Sequence, residues 1–220
     1  MPGFLWRTAV LCWVLAGSSK AARAVTNYFL VAERPANIVY DDSYVIVLTN
    51  SAHIAHAQDL IARGPDKAHA PLVVADIAAG ADGLNRDLGR ADARPWSWHV
   101  TSVNGFADAT IEILDGSPGY VESDVPGWIQ NTGGQIGFWT YTIVAELPLT
   151  PRIDAVELQG NQIKLSLTNL TPPFAAVVEV ATNLPAAFWL TQTNVVPATL
   201  STNVLVPPTT TQGFYRIRTP

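Results

Sequence analysis

Cysteine occurs once, as Cys12 within an N-terminal apolar stretch. A chain that loses that stretch forms no disulfide and has neither a thiolate nucleophile nor a thiolate metal ligand. Cations are scarce as well: thirteen Lys and Arg face eighteen Asp and Glu, and no basic cluster is interleaved with aromatics. A phosphate backbone would be repelled, which argues against nucleic acid as a partner. No apolar run reaches the roughly 20 residues that a membrane-spanning helix needs, so no membrane span is expected. The sequence also lacks H-E-x-x-H, G-x-S-x-G and a phosphate-cradling glycine loop, the signatures of zinc peptidases, serine hydrolases and nucleotide sites.

The N-terminus carries Arg7, an apolar run from Thr8 to Ala16 and the triplet Ala22-Arg23-Ala24. A cation, a short apolar run and an A-x-A site are the parts of a secretory signal, so residues 1–24 are expected to be a cleavable signal peptide and the protein to be exported. Cleavage would remove three of the thirteen cations and none of the eighteen carboxylates, moving the formal charge from −5 to −8. The excess is uneven. Residues 25–150 hold six cations and fifteen carboxylates, residues 151–220 four and three.

That shift in charge coincides with Leu147-Pro148-Leu149-Thr150-Pro151-Arg152, where two prolines interrupt any helix or central strand. The expected division is therefore a first domain over 25–150 and a second over 151–220.

In the first, Asn27 to Val31 and Tyr40 to Leu48 read as strands, the latter covered on both faces. A helix capped by Asn50 or Ser51 carries an apolar stripe of Ile54, Ala57, Leu60 and Ile61 and stops at Gly64-Pro65. Pro71 to Ala78, Trp96 to Val103, Thr110 to Leu114 and Phe138 to Glu146 read as further strands. Ala79 to Arg94 reads as a polar loop, Pro118 to Asp124 as a short helix and Gly133-Gly134 as a turn. One main helix packed on mostly antiparallel strands gives an α+β class.

The second domain reads as a small all-β sandwich of short strands at Lys164–Leu167, Val177–Val180, Phe188–Leu190, Asn203–Val206 and Phe214–Ile217, with Trp189 as its central core residue.

The order Trp96-Ser97-Trp98-His99, Ile111-Glu112-Ile113, Asp115-Gly116, Tyr120-Val121-Glu122 and Trp139 to Glu146 resembles the N-terminal domain of the seventy-four-kilodalton binding protein family over about residues 40–147. The resemblance implies a binding activity. Leu114 stands where many relatives carry Cys, and the second Cys near the final Trp is absent, so whatever that pair does in relatives is lost here. Val178-Glu179-Val180-Ala181-Thr182-Asn183-Leu184, Trp189 and Phe214 to Arg218 resemble the small C-terminal domains of secreted bacterial proteins, which implies an appendage in an extracellular setting.

Several residue sets invite a chemical reading. His99 could face Glu112 or Asp115 as a general acid/base pair or half a metal site, or be a hydrogen-bonded structural group. His53 and His56 share a helix face but lack further ligands, and read as solvated surface. Asp82, Asn85, Asp87 and Asp92 crowd one loop with the oxygen ligands calcium prefers, although their spacing fits no EF-hand. Glu112, Asp115, Glu122 and Asp124 supply carboxylates of the kind a glycosidase pairs. Of the tryptophans that survive signal cleavage, Trp96, Trp98 and Trp128 with His99 are the ligand-binding candidates, and Trp128, after Pro126-Gly127, is the one expected to be exposed.

The leading expectation is a secreted binding or inhibitor-like protein that contacts an extracellular protein or small ligand through its first domain. Two alternatives stand beside it: a small secreted hydrolase using His99 with Glu112 or Asp115, and a calcium-stabilised surface domain. No cofactor is expected apart from calcium in the last case.

Overall fold

The computed structural model describes residues 26–33, 42–63, 71–108, 115–185, 188–208 and 212–220. The expected signal peptide, Glu112 and the strand expected at Thr110 to Leu114 lie outside the described residues.

The first half is two three-stranded antiparallel sheets around one core. Strands β1 (Asn27–Glu33), β2 (Ser43–Leu48) and β6 (Tyr141–Leu147) form the order β2-β1-β6. Strands β3 (Leu72–Ala79), β4 (Trp98–Ala107) and β5 (Gln135–Ile136) form β4-β3-β5. Alternation fixes the registers: Phe29 lies opposite Ile46 and Val31 opposite Tyr44, so one row of buried side chains faces inward. In β2 both faces are covered except at Val47, which is exposed.

Helix α1 (Ser51–Arg63) begins where Asn50 Oδ1 accepts the backbone N–H groups of Ala52 and His53 at 2.8 and 3.2 Å. It buries Ala57 and Leu60 in the core, with Ile54 and Ile61 packed at its margin. His53 and His56 are not solvated surface. Their rings pack on Phe106 of β4 at 5.8 and 4.6 Å, because the helix lies against the sheet on that face too.

Two short helices follow, α2 (Pro118–Ser123) and α3 (Val125–Thr132). Ser117 Oγ accepts from Tyr120 N, and Asp124 Oδ1 from Gly127 N, each with a proline in the first turn. Gly133, at φ +69°, ends α3 in the left-handed region, where a side chain would be strained. The sequence pattern predicts α2 but leaves residues 125–132 as loop. Asp124 both ends one helix and caps the next, so a single boundary signal conceals two elements.

The second half is a sandwich. Strands β7 (Arg152–Gln159), β8 (Gln162–Thr168) and β11 (Thr202–Val206) pair as β11-β8-β7; β9 (Ala176–Ala181), β10 (Leu190–Val195) and β12 (Phe214–Arg218) pair as β10-β9-β12. Leu165, Leu167, Val178 and Val206 from both sheets close one aliphatic core.

Trp189 is not in that core. It is half-buried on the surface, with the Arg216 guanidinium 4.2 Å from its ring centroid. Arg216 and Arg218 flank the Glu179 carboxylate at 2.7 and 3.2 Å. The V-E, Trp and F-Y-R-I-R pieces of the sequence pattern are thus one polar ladder across β9 and β12, which pair Arg216 opposite Glu179.

Candidate functional site

The polar loop between β3 and β4 works as a side-chain strand. Asn85 Oδ1 accepts Val45 N at 3.0 Å while its amide donates to Trp98 O at 2.9 Å. Asp87 Oδ1 accepts Ser43 N at 3.0 Å. Both residues are buried, so these bonds complete the open edge of β2. Asp82 turns the loop by accepting Leu84 N and Asn85 N at 2.9 and 2.7 Å. Asp92 is exposed at the far side. The loop's carboxylate and amide oxygens are thereby turned toward backbone N–H groups instead of toward a common point. Among the described residues no group of three or more His, Cys, Asp and Glu is placed to hold a metal.

Burial lifts the Asp87 carboxyl above its ordinary range, and the Asp42 charge adds to this against the N–H groups of Ser43 and Gly89. Asp87 Oδ2 has Arg90 Nε at 3.3 Å as its counter-charge but no well-aligned hydrogen bond.

The tryptophan candidates are core residues. Trp96 and Trp98 are buried and stacked, with ring centroids 6.0 Å apart, and Trp96 Nε1 donates to Ser43 O at 2.7 Å. Neither offers a face to a ligand. Trp128, expected to be exposed, is only 6% accessible; its Nε1 donates to Gln135 O at 2.9 Å, because α3 turns the ring inward onto Phe138. Among the described residues the exposed tryptophan is Trp139, at 45%.

His99 is a structural group among the described residues. Its Nδ1 lies 2.6 Å from Gly80 O, which requires the ring proton on Nδ1, and no described carboxylate hydrogen-bonds to it. Asp115 belongs to a different feature, described next. Glu122 receives Ser97 N and Oγ, both at 2.9 Å, and Asp124 caps α3. Glu122 is thereby tied to Ser97 and not to His99, whereas Asp115 and Asp124 both line the cleft described next.

What the structure does assemble is a cleft of about 560 Å³ beside α2 and α3, lined by Asp115, Tyr120, Ser123, Asp124, Trp128 and Asn131 among others. Tyr120 is 63% exposed and meets the edge of Trp128 at 5.9 Å between centroids. Buried Asp42 holds the first turn of α2, next to Tyr120: its carboxylate accepts Gly119 N at 2.7 Å and the Tyr141 hydroxyl. A Cβ on Gly119 would stand 2.8 Å from Asp42 Oδ2, so only glycine lets α2 approach this close. Sequence reasoning missed Tyr120, Ser123 and Asn131. The paired Ser117-Pro118 and Asp124-Val125-Pro126 starts were the signal that could have found them.

An α+β scaffold with antiparallel sheets and a pre-formed aromatic cleft defines a binding-type domain. Residues 25–150, more than half of the chain, match the model of the N-terminal domain of the seventy-four-kilodalton binding protein, and the protein belongs to that family. No curated protein and no solved structure matches the chain.

Proposed function

We propose that the protein is an exported binding protein whose cleft beside α2 and α3 receives an extracellular ligand, with the sandwich of β7 to β12 as an appended domain. The observation that carries this reading is the cleft itself, a concavity with an exposed aromatic ring and polar groups on rigid helices. Family membership supports binding, and the apolar run with its A-x-A site at residues 22–24 supports export.

Two measurements test it. Expression of the full chain with a C-terminal tag should yield extracellular protein whose N-terminus is Val25; confinement of the tagged protein to the cell would overturn the export reading, and an exported form that keeps residues 1–24 would overturn the cleavage. Immobilised protein should retain a ligand from extracellular extract, and Tyr120→Ala with Asn131→Ala should abolish that retention without changing the melting temperature. Equal retention by the double variant would remove the cleft as the site.

A further inference from the structure

The cleft beside α2 and α3 is electrostatically one-sided, and this narrows what it can hold, on the reading that it is the binding site. Its lining includes two carboxylates, Asp115 and Asp124, and no Lys, Arg or His among the described residues. Much of its remaining polarity is already engaged. Ser123 Oγ donates to Tyr120 O at 2.7 Å, Thr132 Oγ1 donates to Trp128 O at 2.9 Å, and Asp124 Oδ1 holds Gly127 N at 3.0 Å. The groups left without a hydrogen bond among the described residues are the Asp115 carboxylate, Asp124 Oδ2, the Tyr120 hydroxyl and the Asn131 amide. To these the exposed Tyr120 ring adds an aromatic face.

Each ligand class meets that set differently. An anion would be repelled by Asp115 and Asp124 with no cation to offset them. An apolar group would desolvate Asp115 and return nothing to it. A neutral polyol could satisfy Asn131 and the phenol, but would cover Asp115 without balancing its charge. A planar cation suits this set best: it offers donors in its own plane to the carboxylates, a face to the Tyr120 ring and an edge to the Asn131 carbonyl. An ammonium could reach the carboxylate but has no plane to lay on the ring.

We propose that this cleft binds an alkylguanidinium group, as carried by an arginine side chain of an extracellular peptide or by a free guanidino compound. The surplus of carboxylates over residues 25–150 would draw such a cation toward the cleft before contact.

The test is titration of the purified chain with a blocked glycine peptide bearing a central arginine and, separately, with agmatine, read by calorimetry and by the Trp128 indole N–H resonance. Binding of the peptide together with a Trp128 shift is expected. Replacing arginine by citrulline, which keeps the shape and removes the charge, should weaken binding at least ~10-fold, as should Asp115→Asn. Tyr120→Ala should weaken it by about 3- to 10-fold through the lost ring face. Tighter binding of the peptide than of agmatine assigns the guanidinium to a protein or peptide, and the reverse assigns it to a free compound.

Equal binding of the citrulline or a lysine peptide, or indifference to Asp115→Asn, would overturn the guanidinium assignment. If no cationic probe moves Trp128 but a neutral or anionic ligand does, the guanidinium falls and the cleft stands as a binding site. If no ligand of any class responds to Asp115→Asn, Tyr120→Ala or Asn131→Ala, the cleft falls as well.

Discussion

In the first half of the chain the largest fully buried side chains are Trp96, Trp98, Tyr44, Tyr141, Phe29 and Phe138, whereas in the sandwich they are Leu165 and Leu167. Most of the buried polar groups lie in that half too. Asp42, Ser43, Asn85 and Asp87 are buried in the first half and tie loops and helices to strands, while the sandwich gathers its main charge network, Glu179 with Arg216 and Arg218, on a sheet face. In the first half buried polar side chains from loops satisfy strand edges, whereas in the second half Thr171, which accepts Leu149 N, and Glu179 are the buried polar groups. The cleft lies on the first kind of scaffold, where a buried carboxylate can hold a helix in place.

Removing one ring should show the contrast most strongly. Trp98→Ala is expected to destabilise the chain by about 3 to 5 kcal/mol in denaturant unfolding. A loss under ~1 kcal/mol would show that the aromatic stack is not the centre of that core. Next in size is Asp42→Ala, which leaves Gly119 N and the Tyr141 hydroxyl without their acceptor and should cost about 3 kcal/mol. It should also loosen the cleft, seen as faster amide exchange over residues 118–123. Unchanged exchange there would separate Asp42 from the cleft.

Acid should pull the two regions in opposite directions. The hydrogen bond from Arg216, aided by that from Arg218, holds the Glu179 carboxyl below its ordinary range against the opposing effect of burial. Its contribution to folding is therefore present above the unfolded pKa and lost as pH falls through the folded one. Asp87 has the reverse sign: its raised folded pKa favours folding at low pH, and that contribution is lost as pH rises through it. Unfolding midpoints measured over about pH 3 to 6 should accordingly flatten in Glu179→Gln and steepen toward acid in Asp87→Asn. Parallel curves for both variants and the parent would dissolve the contrast.

The smallest effect is spectroscopic. Burial raises the phenols of Tyr44 and Tyr141 well above the ordinary tyrosine range, with Asp42 adding to Tyr141. An alkaline absorbance titration should find both neutral past about pH 10 until the chain unfolds. Ionisation of either in the folded protein would mean that its ring is not held in the core.

Much of this was legible in the sequence, and the failures have a common cause. Elements whose pattern is local were found: β2 by its alternation, α1 by Asn50 and its apolar stripe, and β8, β9, β11 and β12 by their turns, whereas β7 was missed and the strand expected at Phe188 to Leu190 begins only at Leu190. Errors arose where a residue's partner is distant. Nothing near Asp87 in sequence indicates that it serves Ser43, 44 residues away, nor that Asp42 reaches Gly119 77 residues on. Trp128 followed a Pro-Gly pair and so read as loop, yet that proline starts a helix that turns the ring inward. Trp189 read as core because tryptophan usually is; its partner Arg216 lies on another strand. The cleft was hidden for the same reason, being built by two helices of which only the first was read.

The loop that lays Asn85 and Asp87 along β2 has a bearing on solubility. An open strand edge is a template on which a second chain can add. Here the edge is occupied by an amide and a carboxylate instead of another backbone, so it is satisfied without offering the next row of N–H and C=O groups on which growth depends. The sheet therefore ends at β2, and the same acidic loop that suggests a metal acts as a guard against self-association.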